Sequence, residues 1–227
     1  MIDFLKDMFM ERVAEIESRL REEFSPDLRI TVEEPGVRVL YVPLAGEHTI
    51  APAAKIFHAA GESWTLSLFT ASNYGFFLGD AERAKKVAQN IVEEAKRLGV
   101  SVVAFPECGH ATRTLLKFWD GWFGDLPFEK VSILQLIDQY LRDGRIKLRE
   151  GVIEEPISYH DPCNLGRNTG LYEQPRRVLR IVAKDFRELS PRRERNWCCG
   201  GGGGLVAVPE MKEVRMMAGR KKAEQIR

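Results

Sequence analysis

Apolar side chains at the start of the chain recur at a spacing close to that of a helix. Within residues 2–23 they are Phe4, Leu5, Met8, Phe9, Val13, Ile16 and Leu20. A single apolar stripe between polar neighbours predicts an amphipathic helix that packs on the body of the protein or on a partner.

Beyond this helix, short apolar runs alternate with longer helical stripes. The pattern predicts strands over 37–43, 63–69, 100–106 and 156–161, and helices over 50–60, 81–98, 131–142, 175–184 and 209–226, with one more helix after Gly109. The stripe over 81–98 is the clearest, and Asp80 can cap its start while Gly99 can end it. The segment 187–197 is ambiguous and is compatible with a short strand. Strands that alternate with helices predict an α/β fold with parallel sheets.

A strand followed by a cysteine occurs twice, in PECGHA at 106–111 and in HDPCNLG at 160–166. The repetition predicts two similar Rossmann-like lobes joined near 143–155. Ligands of open parallel sheets bind outside the carboxyl ends of the strands, so we expect a cysteine site between the lobes at those ends. The corresponding division of the chain is a helical extension over 1–34, a first α/β lobe over 35–143 and a second lobe over 144–227.

Composition is that of an ordinary globular protein. The 227 residues are 44% hydrophobic and 30% charged, and 34 Lys and Arg against 33 Asp and Glu give a net charge of +1. A charge this close to zero argues against nucleic acid as the main partner. No apolar run approaches the about 20 residues that a membrane helix needs, and the acidic start of the chain does not resemble a signal peptide. We therefore expect a cytoplasmic protein, free or peripheral on the cytoplasmic face of a membrane.

Cysteine usage points to metal chemistry. The chain has four cysteines, at 108, 163, 198 and 199, and two of them are adjacent. Adjacent cysteines do not easily pair with each other, and cytosolic proteins seldom keep structural disulfides. Four unrelated buried thiols are the alternative. It is the less favoured one, because each cysteine lies beside glycine, proline or polar residues rather than in an apolar run.

Several segments together resemble one protein family. They are NYGFFLGD at 73–80, PECGHA at 106–111, YHDPCNLGR at 159–167, Gln174-Pro175-Arg176 and CCGGGGGL at 198–205. A cysteine followed, after 34 further residues, by Cys198-Cys199-Gly200 is similar to the opening of the cysteine-rich CCG motif. Over roughly residues 35–227 the chain resembles iron–sulfur subunits related to the heterodisulfide reductase catalytic subunit. The nearest branch is the large cytoplasmic subunit of membrane complexes linked to dissimilatory sulfite reduction.

The resemblance implies a [4Fe–4S] cluster, in the non-cubane form or a close variant, that Cys163, Cys198 and Cys199 ligate. Cys108 is the candidate for a further thiolate. Thiolates are the natural ligands of iron–sulfur clusters. Gly200 and Gly201 would let backbone N–H groups point at the sulfurs, which tunes the reduction potential. In the related reductase such clusters cleave a disulfide in single-electron steps, so the implied partners are a disulfide or sulfur-carrier substrate and other redox subunits, including membrane-bound ones.

The sequence departs from the family pattern in two respects. The family motif closes with Cys-x-x-Cys, and the family carries a ferredoxin-like region; neither occurs in these 227 residues. Three explanations stay open: the chain is a fragment, another chain supplies ligands, or the cluster is one that four cysteines can hold. Four thiolates suffice for an ordinary [4Fe–4S] or [2Fe–2S] cluster.

Charged residues near the cysteines have two interpretations each. His110 and His160 either have a functional role, delivering a proton to a substrate thiolate or hydrogen-bonding the cluster edge, or they support the loop backbone. Arg167 and Arg176 either offset the negative charge of the cluster or hold a substrate carboxylate. A solvated surface arginine is the alternative for both, and the favoured one for Arg176. Asp161, which precedes a proline, is expected to shape a turn.

Three other segments have simpler interpretations. Asn73, Tyr74 and Gly75 follow a predicted strand and form either part of a site or a turn. Aromatic residues between 118 and 128 are expected in the core or at a subunit contact. The basic run 220–222 is expected on a solvated helix face. The glycines at 200–204 lack the Gly-Lys-Ser/Thr of a phosphate loop, and the preceding double cysteine fits thiolate ligation better.

The sequence is compatible with three candidate functions. The first is a redox subunit that reduces a disulfide-type substrate, and the second is a subunit that only transfers electrons between partners. The third is a zinc-stabilised or metal-free scaffold that docks partners. We expect the first two, because the resemblance covers most of the chain.

Overall fold

The computed structural model describes residues 2–44, 47–71, 79–106 and 108–227. Strands alternate with helices as predicted, which confirms the α/β class. The elements are α1 (Ile2–Glu23), β1 (Val39–Tyr41), α2 (Glu47–Ala59), β2 (Trp64–Leu66), α3 (Ala81–Leu98), β3 (Val102–Phe105), α4 (Gly109–Phe123), β4 (Glu129–Ser132), α5 (Ile133–Arg142), β5 (Ile157–Ser158), α6 (Glu173–Val182), β6 (Phe186–Arg187) and α7 (Lys212–Ile226), with short 3-10 turns at Arg193–Arg195, Gly202–Ala207 and Pro209–Met211. Asn73, Tyr74 and Gly75 lie outside the described residues.

The larger sheet has four parallel strands in the order β2-β1-β3-β4. Val39 of β1 pairs with Trp64 on one side and with Val102 on the other. All three residues of β1 are buried, as expected for a central strand of a parallel sheet with helices on both faces.

Side chains that alternate along the strands divide the core between the two faces of this sheet. Val39 and Tyr41 pack with helices α1, α2 and α5, whereas Leu40 packs with α3 and α4. Val13, Ile16 and Leu20 of α1 are buried in the first of these clusters. The predicted amphipathic helix therefore packs on the body of the protein.

Capping residues define the ends of two of the helices that cover the sheet. Asp80 accepts a hydrogen bond from Arg83 N at the start of α3, and Gly99 ends the helix in the left-handed conformation, as predicted. Strand β4 was not predicted, because its four residues precede the helical stripe directly. Ser132 is both the last residue of β4 and the cap of α5, in a capping box with Gln135.

The second sheet is much smaller than the first. It consists of β5 and β6 in parallel, with Ile157 opposite Phe186, and helix α6 makes the crossover between them. A further parallel bridge joins Ile153 and Ala183. The parallel sheets are confirmed, and the two sheets differ in size.

Polar contacts hold the C-terminal part of the chain against the first sheet and its helices. Arg177 of α6 donates to the buried carboxylate of Asp138 on α5, with Nη2 2.6 Å from Oδ2. A Cβ atom at Gly109 would lie 2.8 Å from Cβ of Asn164, so the loops that carry Cys108 and Cys163 touch there. The division at 1–34, 35–143 and 144–227 stays a prediction. Among the described residues, no helix combines the length and apolarity that crossing a bilayer requires.

Candidate cysteine site

Three loops enclose a cavity of about 260 Å³ that contains most of the predicted site residues. They are the loop after β3, the loop after β5 and the segment around the double cysteine. The lining residues are Gly109, His110, His160, Pro162, Cys163, Asn164, Arg167, Asn196, Trp197, Cys198, Cys199, Gly201, Gly202 and Gly203. Cys163 therefore comes together with the adjacent Cys198 and Cys199 around one space, although it is far from them in sequence.

The glycine run gives the double cysteine its local geometry. Gly200, Gly202, Gly203 and Gly204 have φ values of +77°, +72°, +52° and +110°, a region that residues with a Cβ rarely adopt. This backbone turns the N–H of Gly200 towards Cys198 Sγ and the N–H of Gly201 towards Cys199 Sγ, each at 3.4 Å. N–H groups directed at sulfur stabilise a negatively charged group that the sulfur binds.

Cys163 lies in a tight turn that follows β5. Gly166 N donates to Pro162 O over 2.7 Å, and Asn168 N donates to Cys163 O over 3.0 Å. Gly166 is required there because a Cβ atom would come within 2.6 Å of the Tyr172 ring. The turn leaves the Cys163 thiol exposed, as Cys198 and Cys199 are.

Cys108 stands apart from the other three cysteines. It is the residue before the first turn of α4, is half-buried and packs against the apolar cluster of α3 and α4. Its Sγ lies 3.9 Å from Nδ1 of His110, which does line the cavity, but Cys108 is not a lining residue. The structure thus brings three of the four cysteines together and places the fourth behind His110.

Both predicted histidines face the cavity and are half-buried. Burial lowers the pKa of His110, and a hydrogen bond with the Gly203 backbone offsets part of that effect. Nδ1 of His160 lies 3.1 Å from the amide nitrogen of Asn196. Burial lowers the pKa of His160, the positive charge of Lys222 lowers it further, and Asp161 opposes both. Each histidine therefore links two of the three loops.

Arg167 lines the cavity and is tied to the backbone before the double cysteine. Its Nε donates to Glu194 O over 3.1 Å and its Nη2 to Asn196 O over 2.9 Å. These contacts connect the turn that contains Cys163 with the segment that leads to Cys198.

Asn196 is a residue that the sequence interpretation missed. Its side chain is buried and donates to Asp161 O over 2.7 Å, while its Oδ1 accepts from Lys222 Nζ over 2.6 Å. Its position directly before Trp197 and the double cysteine was the only available signal. The side chain connects α7, the loop after β5 and the double cysteine.

The surface prediction for Arg176 is wrong. Arg176 is fully buried and donates to Asp161 and to Glu188. Asp161 is buried too, and it shapes its loop by accepting from Arg193 N over 2.7 Å. Arg176 is thus sequestered in a buried ion-pair network, and it contacts neither the cavity nor solvent.

The predicted solvated face at 220–222 is wrong for one residue. The Lys222 side chain is buried against Asn196, whereas Arg220 and Lys221 are exposed. Burial is a consequence of the close packing of α7 on residues 199 and 200, which periodicity does not reveal. The aromatic prediction is confirmed for the core, since Trp119 is fully buried against Phe105.

The donor chemistry of the cavity fits an iron–sulfur group. Among the described residues, no three or more His, Cys, Asp and Glu side chains are arranged to hold a single metal ion. The cavity instead offers separated thiols with backbone N–H groups directed at two of them. Soft sulfur donors around a volume of this size suit an iron–sulfur cluster better than a hard cation.

Comparison with known proteins finds similarity to iron–sulfur subunits. Residues 157–227 match the family model of the CCG cysteine-rich domain. The chain is 27% identical, over 88% of its length, to the Hdr-like menaquinol oxidoreductase iron–sulfur subunit of Archaeoglobus profundus, of which it covers 44%. It is 35% identical, over 56% of its length, to one subunit of the dihydromethanophenazine:CoB–CoM heterodisulfide reductase of Methanosarcina acetivorans, and it covers 32% of that relative.

A third relative is the EtfAB:quinone oxidoreductase of Syntrophomonas wolfei, 29% identical over 55% of the chain and 17% of the relative. No solved structure matches the chain. The chain spans less than half the length of each of these curated relatives. Residues 157–227 are thus similar to the CCG cysteine-rich domain, and the chain is similar to the iron–sulfur subunits of heterodisulfide-reductase-like oxidoreductases.

Proposed function

We propose that the protein is an iron–sulfur redox subunit of a heterodisulfide-reductase-like complex that passes electrons to a disulfide-type substrate. The observation that carries the proposal is the convergence of Cys163, Cys198 and Cys199 on one cavity. The relatives support it, because two of them are named as subunits of oxidoreductases that act on a quinol or a heterodisulfide.

Cys163, Cys198 and Cys199 are the proposed ligands of a [4Fe–4S] cluster, in the non-cubane form or a close variant. When bound, the cluster would accept and release single electrons. The N–H groups of Gly200 and Gly201 would stabilise the sulfur ligands, and Arg167 would place a positive charge at the cavity wall. Cys108 is the proposed fourth thiolate; its position behind His110 makes it the least supported of the four.

The proposed reaction breaks one S–S bond. A disulfide takes up two electrons, supplied by a redox partner subunit, and two protons, and it leaves as two thiols. His110 and His160 line the cavity and are the proposed residues for holding a proton near a substrate sulfur. The substrate would occupy the space between the loops, next to Arg167 and the glycine run.

A subunit that only transfers electrons is the second candidate. Trp197 favours it, because this aromatic side chain lines the cavity and is 44% exposed, as is common at contacts between proteins. Turnover of a small disulfide by the iron-loaded protein with a chemical reductant would favour the enzyme. Electron transfer without turnover would favour the second candidate.

Iron and sulfide content per chain tests the proposal directly. Protein prepared without oxygen should be brown and contain both elements, and Cys198→Ser or Cys199→Ser should lose them. Met216→Ser, an exposed change near the double cysteine, is the matched control and should keep them. A colourless wild-type protein without iron, before and after reconstitution, would overturn the proposal and favour a scaffold. Cys108→Ser, measured in parallel, decides whether the fourth thiol ligates.

A further inference from the structure

Lys222 is a buried cation with neutral hydrogen-bond partners. The residue is 4% exposed, and its Nζ donates to Asn196 Oδ1 over 2.6 Å and to Gln225 Oε1. Within the described part of the chain, this ammonium forms no ion pair with a carboxylate. A buried charge is costly unless an opposite charge compensates it.

The acidic side chain that interacts with Lys222 is already engaged. Asp161 interacts electrostatically with Lys222, but both of its oxygens accept hydrogen bonds from the Arg176 guanidinium, and Oδ2 also accepts from Arg193 N. A thiolate at Cys199 would also interact electrostatically with Lys222. Among the described residues, the ammonium thus has no carboxylate of its own, and its partner Asn196 lies two residues before Cys198.

Helix α7 holds Lys222 at this position through close backbone packing. Arg215 Nε donates to Gly200 O over 3.0 Å, and a Cβ at Gly219 would lie 2.9 Å from Cys199 O. Residues 215, 219 and 222 share one face of the helix, because they are four and three positions apart. The face that carries Lys222 therefore rests directly on residues 196–200.

We propose that Lys222 is a positioning residue of the cysteine site, whose buried ammonium holds Asn196 and supplies the positive charge that stabilises the electron-rich form of the group bound by Cys198 and Cys199. The inference rests on the proposed function, because a group that gains an electron there gains a negative charge. A fixed positive charge nearby favours the reduced form and raises the reduction potential.

The first test uses the full chain without iron. Iodoacetate and iodoacetamide both alkylate a thiolate, but only iodoacetate is negatively charged. The ratio of the iodoacetate rate to the iodoacetamide rate at Cys199, resolved by mass spectrometry, therefore reports the local electrostatic potential. We expect Lys222→Gln to lower the ratio by a factor of about 3 or more, as for loss of a unit charge at intermediate dielectric. Lys221→Gln, a neutralising change at the exposed neighbouring position, should leave the ratio unchanged.

The second test measures the midpoint potential of the reconstituted protein. Lys222→Gln should lower it by about 59 mV or more, equivalent to a tenfold change in a one-electron equilibrium. Lys222→Met should behave like Lys222→Gln, while Lys222→Arg and Lys221→Gln should stay near wild type. Far-UV circular dichroism confirms that each variant is folded.

The outcomes separate the inference from the proposed function. Lys222→Gln and Lys222→Met are the two neutral variants. If both keep the wild-type iron content, midpoint potential and alkylation ratio, the inference is overturned and the proposed function stays intact. Absence of iron from wild type overturns the proposed function. The alkylation ratio then decides alone whether Lys222 supplies positive charge at Cys199.

Discussion

Arg176 and Asp161 form a buried two-pronged ion pair, with Nη1 2.5 Å from Oδ1 and Nη2 2.8 Å from Oδ2. Neither side chain is more than 1% exposed. The pair connects α6 to the loop that leads into Cys163. Burial on its own would raise the pKa of Asp161, but the hydrogen bonds from Arg176 and Arg193 N lower it below its usual range.

Removal of Arg176 should therefore be strongly destabilising. Arg176→Met would leave the buried Asp161 carboxylate without its cation, which typically costs about 3–5 kcal/mol of unfolding free energy. Urea unfolding followed by circular dichroism measures the loss. Arg187→Met removes an exposed arginine paired with Asp185 and should change the unfolding midpoint little. Equal midpoints for the two variants would contradict a structural role for the buried pair.

Replacing each of two helical glycines by alanine should change the stability of the fold in opposite directions. In the interior of a helix, Gly→Ala usually stabilises by up to about 1 kcal/mol. Gly121→Ala in α4 should follow this rule, because nothing lies within 4 Å of the new Cβ. Gly219→Ala in α7 should instead destabilise, because its Cβ would lie 2.9 Å from Cys199 O. Thermal unfolding of both variants checks the prediction, and a stabilised Gly219→Ala would show that α7 does not pack on the double cysteine.

Glu62 should make the fold sensitive to acid. Burial on its own would raise the pKa of Glu62, but the hydrogen bond from Tyr140 and the charges of Arg38 and Arg145 lower it. A carboxyl with a lowered pKa in the folded state stabilises the fold above its ordinary pKa, and that contribution disappears as the pH falls through the folded value. The difference in unfolding free energy between wild type and Glu62→Gln should thus be large at pH 7 and shrink below about pH 4. Glu22→Gln, at an exposed position, should show no such convergence.

Glu94 should have the opposite pH dependence. Burial raises the pKa of this carboxyl, and the hydrogen bonds from Ser67 Oγ and Leu68 N offset only part of that shift. Its contribution to stability is complete below the ordinary carboxyl pKa and is lost as the pH rises through the folded value. Glu94→Gln stays uncharged and keeps an acceptor for Leu68 N. We expect its stability relative to wild type to increase from about pH 4 to pH 7, again measured by urea unfolding. A difference independent of pH would rule out this account.

Local features of the fold were predictable because they depend on neighbours in sequence. Helix α3 begins after Asp80 and ends at Gly99, as the stripe and the caps predicted. Strand β4 was missed because its short run merges with the helical pattern of α5. Periodicity cannot separate two elements that share Ser132 as their boundary.

The sequence alone determined the α/β alternation, the capped helices and the cysteine and glycine motifs, since each is written in residue types at short range. Only the tertiary structure decided that Cys163, Cys198 and Cys199 share a cavity while Cys108 lies behind His110. It also decided that Lys222, one of three consecutive basic residues, is the buried one. Burial and convergence depend on how distant segments pack, and in α7 that packing is set by backbone contacts at Gly200 and Gly219, which leave no apolar stripe in the sequence.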